Sequence, residues 1–184
     1  MILHRCFPLS ARARVDAADG PLWFPRPLQG DGRHDNPDVY GCLYLADRPL
    51  SPVIEQLAPF RGQRLSAALL RRRGLPLALA EIELDDAARL IDLDDPRTLR
   101  RERLRPSLVA TRAREITQPQ ALDLYRRHPD AAGLRWWSVW ESRWVNVTVF
   151  DRGMSALRLV RTEVLTLEHA AVLEAAERFA LRIV

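Results

Sequence analysis

Between Phe24 and Glu55 the chain reads FPRPLQGDGRHDNPDVYGCLYLADRPLSPVIE, and the residues in it that can do chemistry come at intervals. Arg26 and Arg33 stand in a glycine-rich opening, Tyr40 and Tyr44 in an apolar run, and Glu55 a few residues after Ser51-Pro52. Guanidinium groups hold phosphate oxygens with paired, charge-assisted hydrogen bonds. An aromatic ring packs on a sugar or a base, and a carboxylate stabilises positive charge at a sugar carbon. Together these suit a phosphorylated sugar ligand. The same residues also make up an ordinary strand–turn–helix with solvated charges, and no single motif in the stretch is diagnostic.

The elements that position them can be read locally. Gly30 and Gly32 permit close backbone approach and left-handed geometry, a weak phosphate signal, and Asp35-Asn36-Pro37 is a turn. Tyr40 to Ala46 has strand composition, with Tyr40, Cys42 and Tyr44 on one face. Ser51-Pro52 reads as N-cap and first helical residue of a helix from about Pro52 to Leu57. Glu55 then falls in the first turn, where the helix dipole favours the ionised carboxylate; that suits an anionic stabiliser and equally a routine surface glutamate.

Around this stretch, Ile2 to Phe7 is expected as an edge strand ended by Pro8, and residues 9 to 23 as a loop. A short helix over Ser66 to Arg73, stopped by Gly74, precedes strands at Leu77 to Leu84 and Leu90 to Leu93. Asp94-Asp95-Pro96 turns the chain into an arginine-rich stretch, and Gln118-Pro119 opens a helix to about Arg127. Gly133 to Glu141 carries Trp136, Trp137 and Trp140 around Ser138; such a cluster is core, interface, or the wall of a pocket for a flat ring. Strands follow at Trp144 to Phe150 and Leu157 to Val160, then an amphipathic helix from Thr166, its cap, to Leu181. Short strands and helices without regular alternation indicate an α+β fold with a mixed, mostly antiparallel sheet and flanking helices, in one domain over residues 1–184.

Composition narrows the function classes. The chain is 47% hydrophobic and 28% charged, the balance of a globular protein. No apolar run reaches the roughly 18 residues of a membrane span, and the first residues lack the pattern of a signal peptide. With only Cys6 and Cys42, a disulfide framework is not expected, and a reduced, cytoplasmic setting is. The net charge is +4 with a sequence pI of about 9.8, but every basic residue other than histidine is arginine. Acidic residues flank the basic runs, and helix-turn-helix, zinc-finger and RNA-binding signatures are absent, so direct nucleic-acid binding is not expected. An acidic small molecule or acidic protein partner fits the charge.

Other chemistries drop out. His4, His34, His128 and His169 have no paired ligand spacing, so no metal is expected. Neither a nucleophile elbow nor a P-loop occurs, and Cys42 in its apolar run reads as a buried thiol. Carboxylate, arginine, tyrosine and serine remain, the groups that a glycosidic cleavage through an oxocarbenium-like transition state uses.

The segment G-x-G-R-H-D-N-P-x-x-Y-G-x-L-Y-L-A, a glutamate in the following helix, and G-L-x-W-x-S at residues 133–138 together resemble the RES domain family. The resemblance spans roughly Phe24 to Arg152. Arg33 falls at the family's glycine–arginine position, Tyr44 at its tyrosine, Glu55 at its glutamate and Ser138 at its serine; these are the catalytic residues it implies. Arg26 is the candidate for the upstream arginine, and with Arg33, Tyr44 and Trp136 completes the implied NAD-binding set. Two departures are visible: the usual aromatic after glycine–arginine is His34 here, and the loop between Arg26 and Arg33 is shorter. The resemblance implies a fold similar to ADP-ribosyltransferase toxins and NAD+ as substrate without a metal. It also implies a bacterial toxin partnered by an Xre-like helix-turn-helix antitoxin that covers the pocket. The reactions it brings are NAD+ hydrolysis or phosphorolysis and, in some members, ADP-ribosylation of a protein. A non-catalytic module that binds a nucleotide or partner is the alternative, and the tryptophan cluster and last helix are candidate homodimer surfaces.

Overall fold

The computed structural model describes residues 1–109 and 111–184. In chain order its strands are β1 (Ile2–Pro8), β2 (Cys42–Ala46), β3 (Arg64–Leu65), β4 (Arg71–Arg72), β5 (Leu75–Leu84), β6 (Leu90–Asp92), β7 (Gly133–Trp137), β8 (Val145–Phe150), β9 (Leu157–Val164) and β10 (Arg182–Ile183). The helices are α1 (Leu50–Leu57), α2 (Pro96–Glu102), α3 (Pro106–Val109), α4 (Arg114–Arg127) and α5 (Ala170–Arg178). The fold is α+β, with mixed, mostly antiparallel strand pairing. Two compact units are built from interleaved segments, so no single cut divides the chain into separate domains.

The first unit comprises Met1, Phe24–Leu45 and Leu84–Arg158. Its strands lie in the order β2-β8-β7-β6, with β7 antiparallel to β8 and parallel to β6. Gly133 has Thr148 O where a Cβ would stand, at 2.2 Å, so glycine is what lets β7 approach β8 there. The core joins Tyr40, Cys42, Leu99, Ala121, Leu124, Leu134, Trp136 and Phe150. Tyr40 stacks on Tyr125 at 4.4 Å and meets Phe150 edge-on at 4.8 Å, arrangements that add to plain apolar burial. α2 is capped by Asp95, whose carboxylate accepts from the amides of Arg97 and Thr98. Buried Glu102, at the end of α2, meets Arg101, Arg127 and His128. Burial alone pushes its pKa up; the hydrogen bonds from Arg101 and Arg127, with His128 close by, outweigh this and hold it at about 2.

α4 begins at Arg114, four residues before the expected opening at Gln118, so Pro119 lies inside it rather than at its start. Only one main-chain hydrogen bond is lost there, and the helix stops at His128, before Pro129, as the sequence indicates.

The second unit comprises Ile2–Trp23, Ala46–Glu83 and Leu159–Val184. β1 pairs with β5 along its whole length and also meets Ala46 through His4, so it is an internal strand and not the expected edge. Pro8 is tolerated because it closes the strand. The expected helix over Ser66 to Arg73 is a 3-10 turn at Ala67–Leu70 followed by β4. Arg73 (φ 50°) and Gly74 (φ 80°) turn β4 back into β5 as a tight hairpin; two successive positive φ angles suit the strand twist there, which is why Gly74 is a hairpin residue and not a helix stop.

α1 packs on α5 and on β1. α5 is shorter than the expected helix from Thr166 to Leu181. His169, not Thr166, caps it, its Nδ1 accepting from the Ala171 amide at 3.2 Å. At the other end Ala180 turns left-handed (φ 52°) and the Leu181 amide reaches back to Ala176 O, a helix-ending bond that frees Arg182–Ile183 to pair with β3.

Candidate active site

In the first unit the glycine loop and Tyr44 meet on a carboxylate that the sequence presents only as part of a turn. Asp35 is buried, and its Oδ2 accepts from the amides of Gly30 (2.8 Å) and Gly32 (2.6 Å). Its Oδ1 accepts from the Tyr44 hydroxyl (2.7 Å) and the Cys42 thiol (3.3 Å). The glycine loop is therefore not an open phosphate cradle. Its two amides already face an internal anion. Gly30 has φ 149°, where a side chain is strained, and a Cβ on Gly32 would lie 2.4 Å from Tyr44 Oη and 2.5 Å from Asp35 Oδ1. The Gln118 side chain closes the loop from α4, donating to the carbonyls of Gly30 and Gly32 at 2.9 Å each.

Tyr44 keeps a partly exposed ring while its hydroxyl is sunk against Asp35 and accepts from the His34 amide at 2.9 Å. Burial, then the neighbouring Cys42 and Asp35, push its pKa well above the usual value. A proton held this tightly makes Tyr44 a poor acid or base. Tyr40, expected beside Tyr44 in the strand, precedes it; its hydroxyl donates to His34 O and its ring lies in the core.

Arg33 is held by the carbonyls of Val109 and Thr111, both 2.6 Å from its Nη1, and its guanidinium lies 4.7 Å from the centre of the Trp136 ring. Carbonyls orient the guanidinium without cancelling its charge. Trp136, assigned from sequence to the binding set, is buried beneath Arg33 and donates from Nε1 to Thr148 Oγ1 at 3.1 Å. It backs the arginine. His34 is buried against the same threonine, with Nδ1 2.8 Å from Oγ1. Thr148 Oγ1 thus accepts from the Trp136 N–H and also shares a hydrogen bond with His34 Nδ1. Burial first, then the Arg33 charge, lowers the His34 pKa to about 3, so the ring is neutral. Stacked on Tyr44 at 6.3 Å and edge-on to Trp136 at 5.2 Å, it serves as an aromatic filler.

Arg26 braces the loop by donating from Nε to Pro37 O. Ser138 is buried just beyond β7, where its Oγ accepts from the Trp140 amide at 3.1 Å and its own amide donates to Trp144 O. Glu55 belongs to the second unit and is exposed on α1. The helix begins at Leu50, with Pro49 at the cap position and Ser51 buried inside. Glu55 is thus the sixth of its residues, beyond the first turn, and the dipole argument for its ionisation does not hold.

The residues missed from the sequence are Asp35 and Thr148. An Asx residue within a few positions of two glycines is a recognised acceptor of loop amides, which was the available signal for Asp35. Nothing local marks Thr148, whose partners are more than ten positions away. Among the described residues no group of three or more His, Cys, Asp or Glu side chains could hold a metal ion, and no helix is long and apolar enough to cross a membrane.

Among solved structures, the chain is similar to one in the M. tuberculosis MbcT-MbcA toxin–antitoxin complex, with a TM-score of 0.61 and 16% identity over 97% of this chain and 88% of that one. At that identity the likeness is one of fold. No curated protein sequence matches the chain. The RES domain profile matches residues 2–170, nearly its whole length. On that match, and with the arginine, tyrosine and serine of the motif set in one unit and the glutamate in the other, the chain belongs to the RES domain family.

Proposed function

We propose that this protein is the toxin of a bacterial toxin–antitoxin pair and that it cleaves NAD+ at the nicotinamide–ribose bond, by hydrolysis or phosphorolysis, in the cytoplasm. The observation that carries the reading is the cluster of Arg33, Tyr44, His34 and Trp136 around Asp35 and Thr148, in a chain of the RES family. The fold likeness to a chain of a toxin–antitoxin complex supports the biological setting.

In this reading Arg33 and Arg26 supply positive charge to the pyrophosphate, and the Tyr44 ring packs on the nicotinamide ribose. Glu55 hydrogen-bonds the ribose hydroxyls and stabilises the positive charge that grows on the sugar as nicotinamide leaves. Ser138, whose hydroxyl accepts from a backbone amide, has its own proton to give and orients the nicotinamide end. An Xre-like helix-turn-helix antitoxin is the proposed partner, covering this pocket.

The test is intracellular NAD+ after the chain is induced alone in bacteria, beside the Glu55→Ala variant. A fall with the parent only supports the reading. Growth arrest with NAD+ intact would replace it with ADP-ribosylation of a cellular protein. One observation favours a non-catalytic binding module: Arg33 and the glycine amides already have partners within the chain. Measurable NAD+ binding without nicotinamide release would select that alternative.

A further inference from the structure

We infer that Asp35 is a positioning residue of this site: its buried carboxylate is the internal anion that closes the Gly30–Gly32 loop and fixes the direction of the Tyr44 hydroxyl. Four donors converge on two oxygens, the loop amides on Oδ2 and the Tyr44 hydroxyl and Cys42 thiol on Oδ1. Among the described residues no arginine or histidine forms an ion pair with it, so these hydrogen bonds stand in for a counter-charge. The Tyr44 oxygen in turn accepts from the His34 amide, the peptide bond that follows Arg33. One carboxylate thereby sets loop, ring and the backbone of the arginine. An anionic ligand consequently meets the guanidinium groups and not the loop amides.

Only a carboxylate satisfies both sides. In Asp35→Asn the amide oxygen can still accept from Gly30 and Gly32, but its NH2 then faces Tyr44 and Cys42, and the Tyr44 hydroxyl loses its acceptor. That variant keeps the loop and releases the ring. The kinetic part of the test rests on the NAD+ reading, and a second part does not.

The kinetic experiment is a double-mutant cycle on NAD+ cleavage with Asp35→Asn, Tyr44→Phe and the pair. Each single variant is expected to raise KM about tenfold, the size of one hydrogen bond's net contribution, with kcat little changed because ring packing acts equally on ground and transition states. The pair is expected to show no further rise, since both changes break one link. Multiplying effects, or a parental KM in Asp35→Asn, overturn the inference. So does an Asp35→Asn chain that cannot fold, which would make Asp35 a folding requirement only.

The second measurement is the amide proton resonances of Gly30 and Gly32 in the parent. Downfield signals, slow to exchange with water and moved upfield by Asp35→Asn, support a charged acceptor. Rapidly exchanging signals at unstructured positions overturn it. If the parent leaves NAD+ untouched while these signals behave as expected, the NAD+ reading has failed and the placement of Asp35 stands.

Discussion

His34 departs from the family pattern and here fills the space between two aromatic rings. Where the RES motif usually has an aromatic, this imidazole is buried between Tyr44, Trp136 and Thr148, and burial together with Arg33 holds it neutral with a pKa of about 3. The unfolded chain, with an ordinary histidine, binds the proton near pH 6.5 and the folded chain only near 3. Stability from this residue is therefore fully present above about 6.5 and is lost as pH falls toward 3. By pH 4 the loss is about 3 kcal/mol. His4, also lowered chiefly by burial, acts in the same direction, whereas the stability from Glu102 is present above about 4.5 and is lost only below it. The thermal midpoint is expected to fall between pH 6.5 and 4.5, and His34→Phe to flatten that fall; an equally steep fall in the variant would remove His34 as its source.

The motif from which Arg33, Tyr44, Glu55 and Ser138 are proposed as site residues was legible, because type and spacing survive without tertiary knowledge. Their surroundings were not. That Trp136 is a support beneath Arg33, that the loop amides face Asp35, and that Thr148 bridges a tryptophan and a histidine all depend on strands brought side by side.

At the scale of elements, local rules worked where the signal was local. His128-Pro129 closes α4 as the residue types dictate, and Asp95-Pro96, read from sequence as a turn into the arginine-rich stretch, caps and opens α2. They failed where two structures compete for one signal. Ser51-Pro52 fits a helix start, yet α1 begins at Leu50, since apolar Leu50, Val53, Ile54 and Leu57 gain more from burial than the cap would. The Arg-Gly pair at 73–74 ends a helix or turns a hairpin equally well, and β5 decides for the hairpin. The loop over Gly30–Asp35 is the element on which the site depends. Gly32→Ala forces a Cβ against the Tyr44 hydroxyl and Asp35, groups fixed by their own hydrogen bonds. Overpacking of this kind costs about 2 kcal/mol. Chemical denaturation should show that loss, with NAD+ binding weakened in parallel; a parental stability in Gly32→Ala would mean that the loop yields freely.

For the molecule as a whole, the class α+β and the mixed pairing followed from the irregular order of elements, whereas the interior place of β1 did not, because a seven-residue strand ending in proline reads as an edge in isolation. The net charge of +4, carried by arginine alone among the long basic side chains, gives no fold information but suits an acidic partner. Co-expression with the proposed antitoxin is expected to restore growth and NAD+ together. An antitoxin that rescues growth while NAD+ stays depleted would place neutralisation elsewhere than the active site.

Nicotinamide release from NAD+ by the purified protein, with the Glu55→Ala variant alongside, tests the proposed chemistry most directly. One nicotinamide for each NAD+ consumed is expected from the parent, at a rate at least about a hundredfold above that of Glu55→Ala, the loss typical when one preorganised charge is removed from a transition state. Equal rates in the two proteins would take Glu55 out of the reaction, and no nicotinamide from folded parent protein would contradict NAD+ cleavage by this chain.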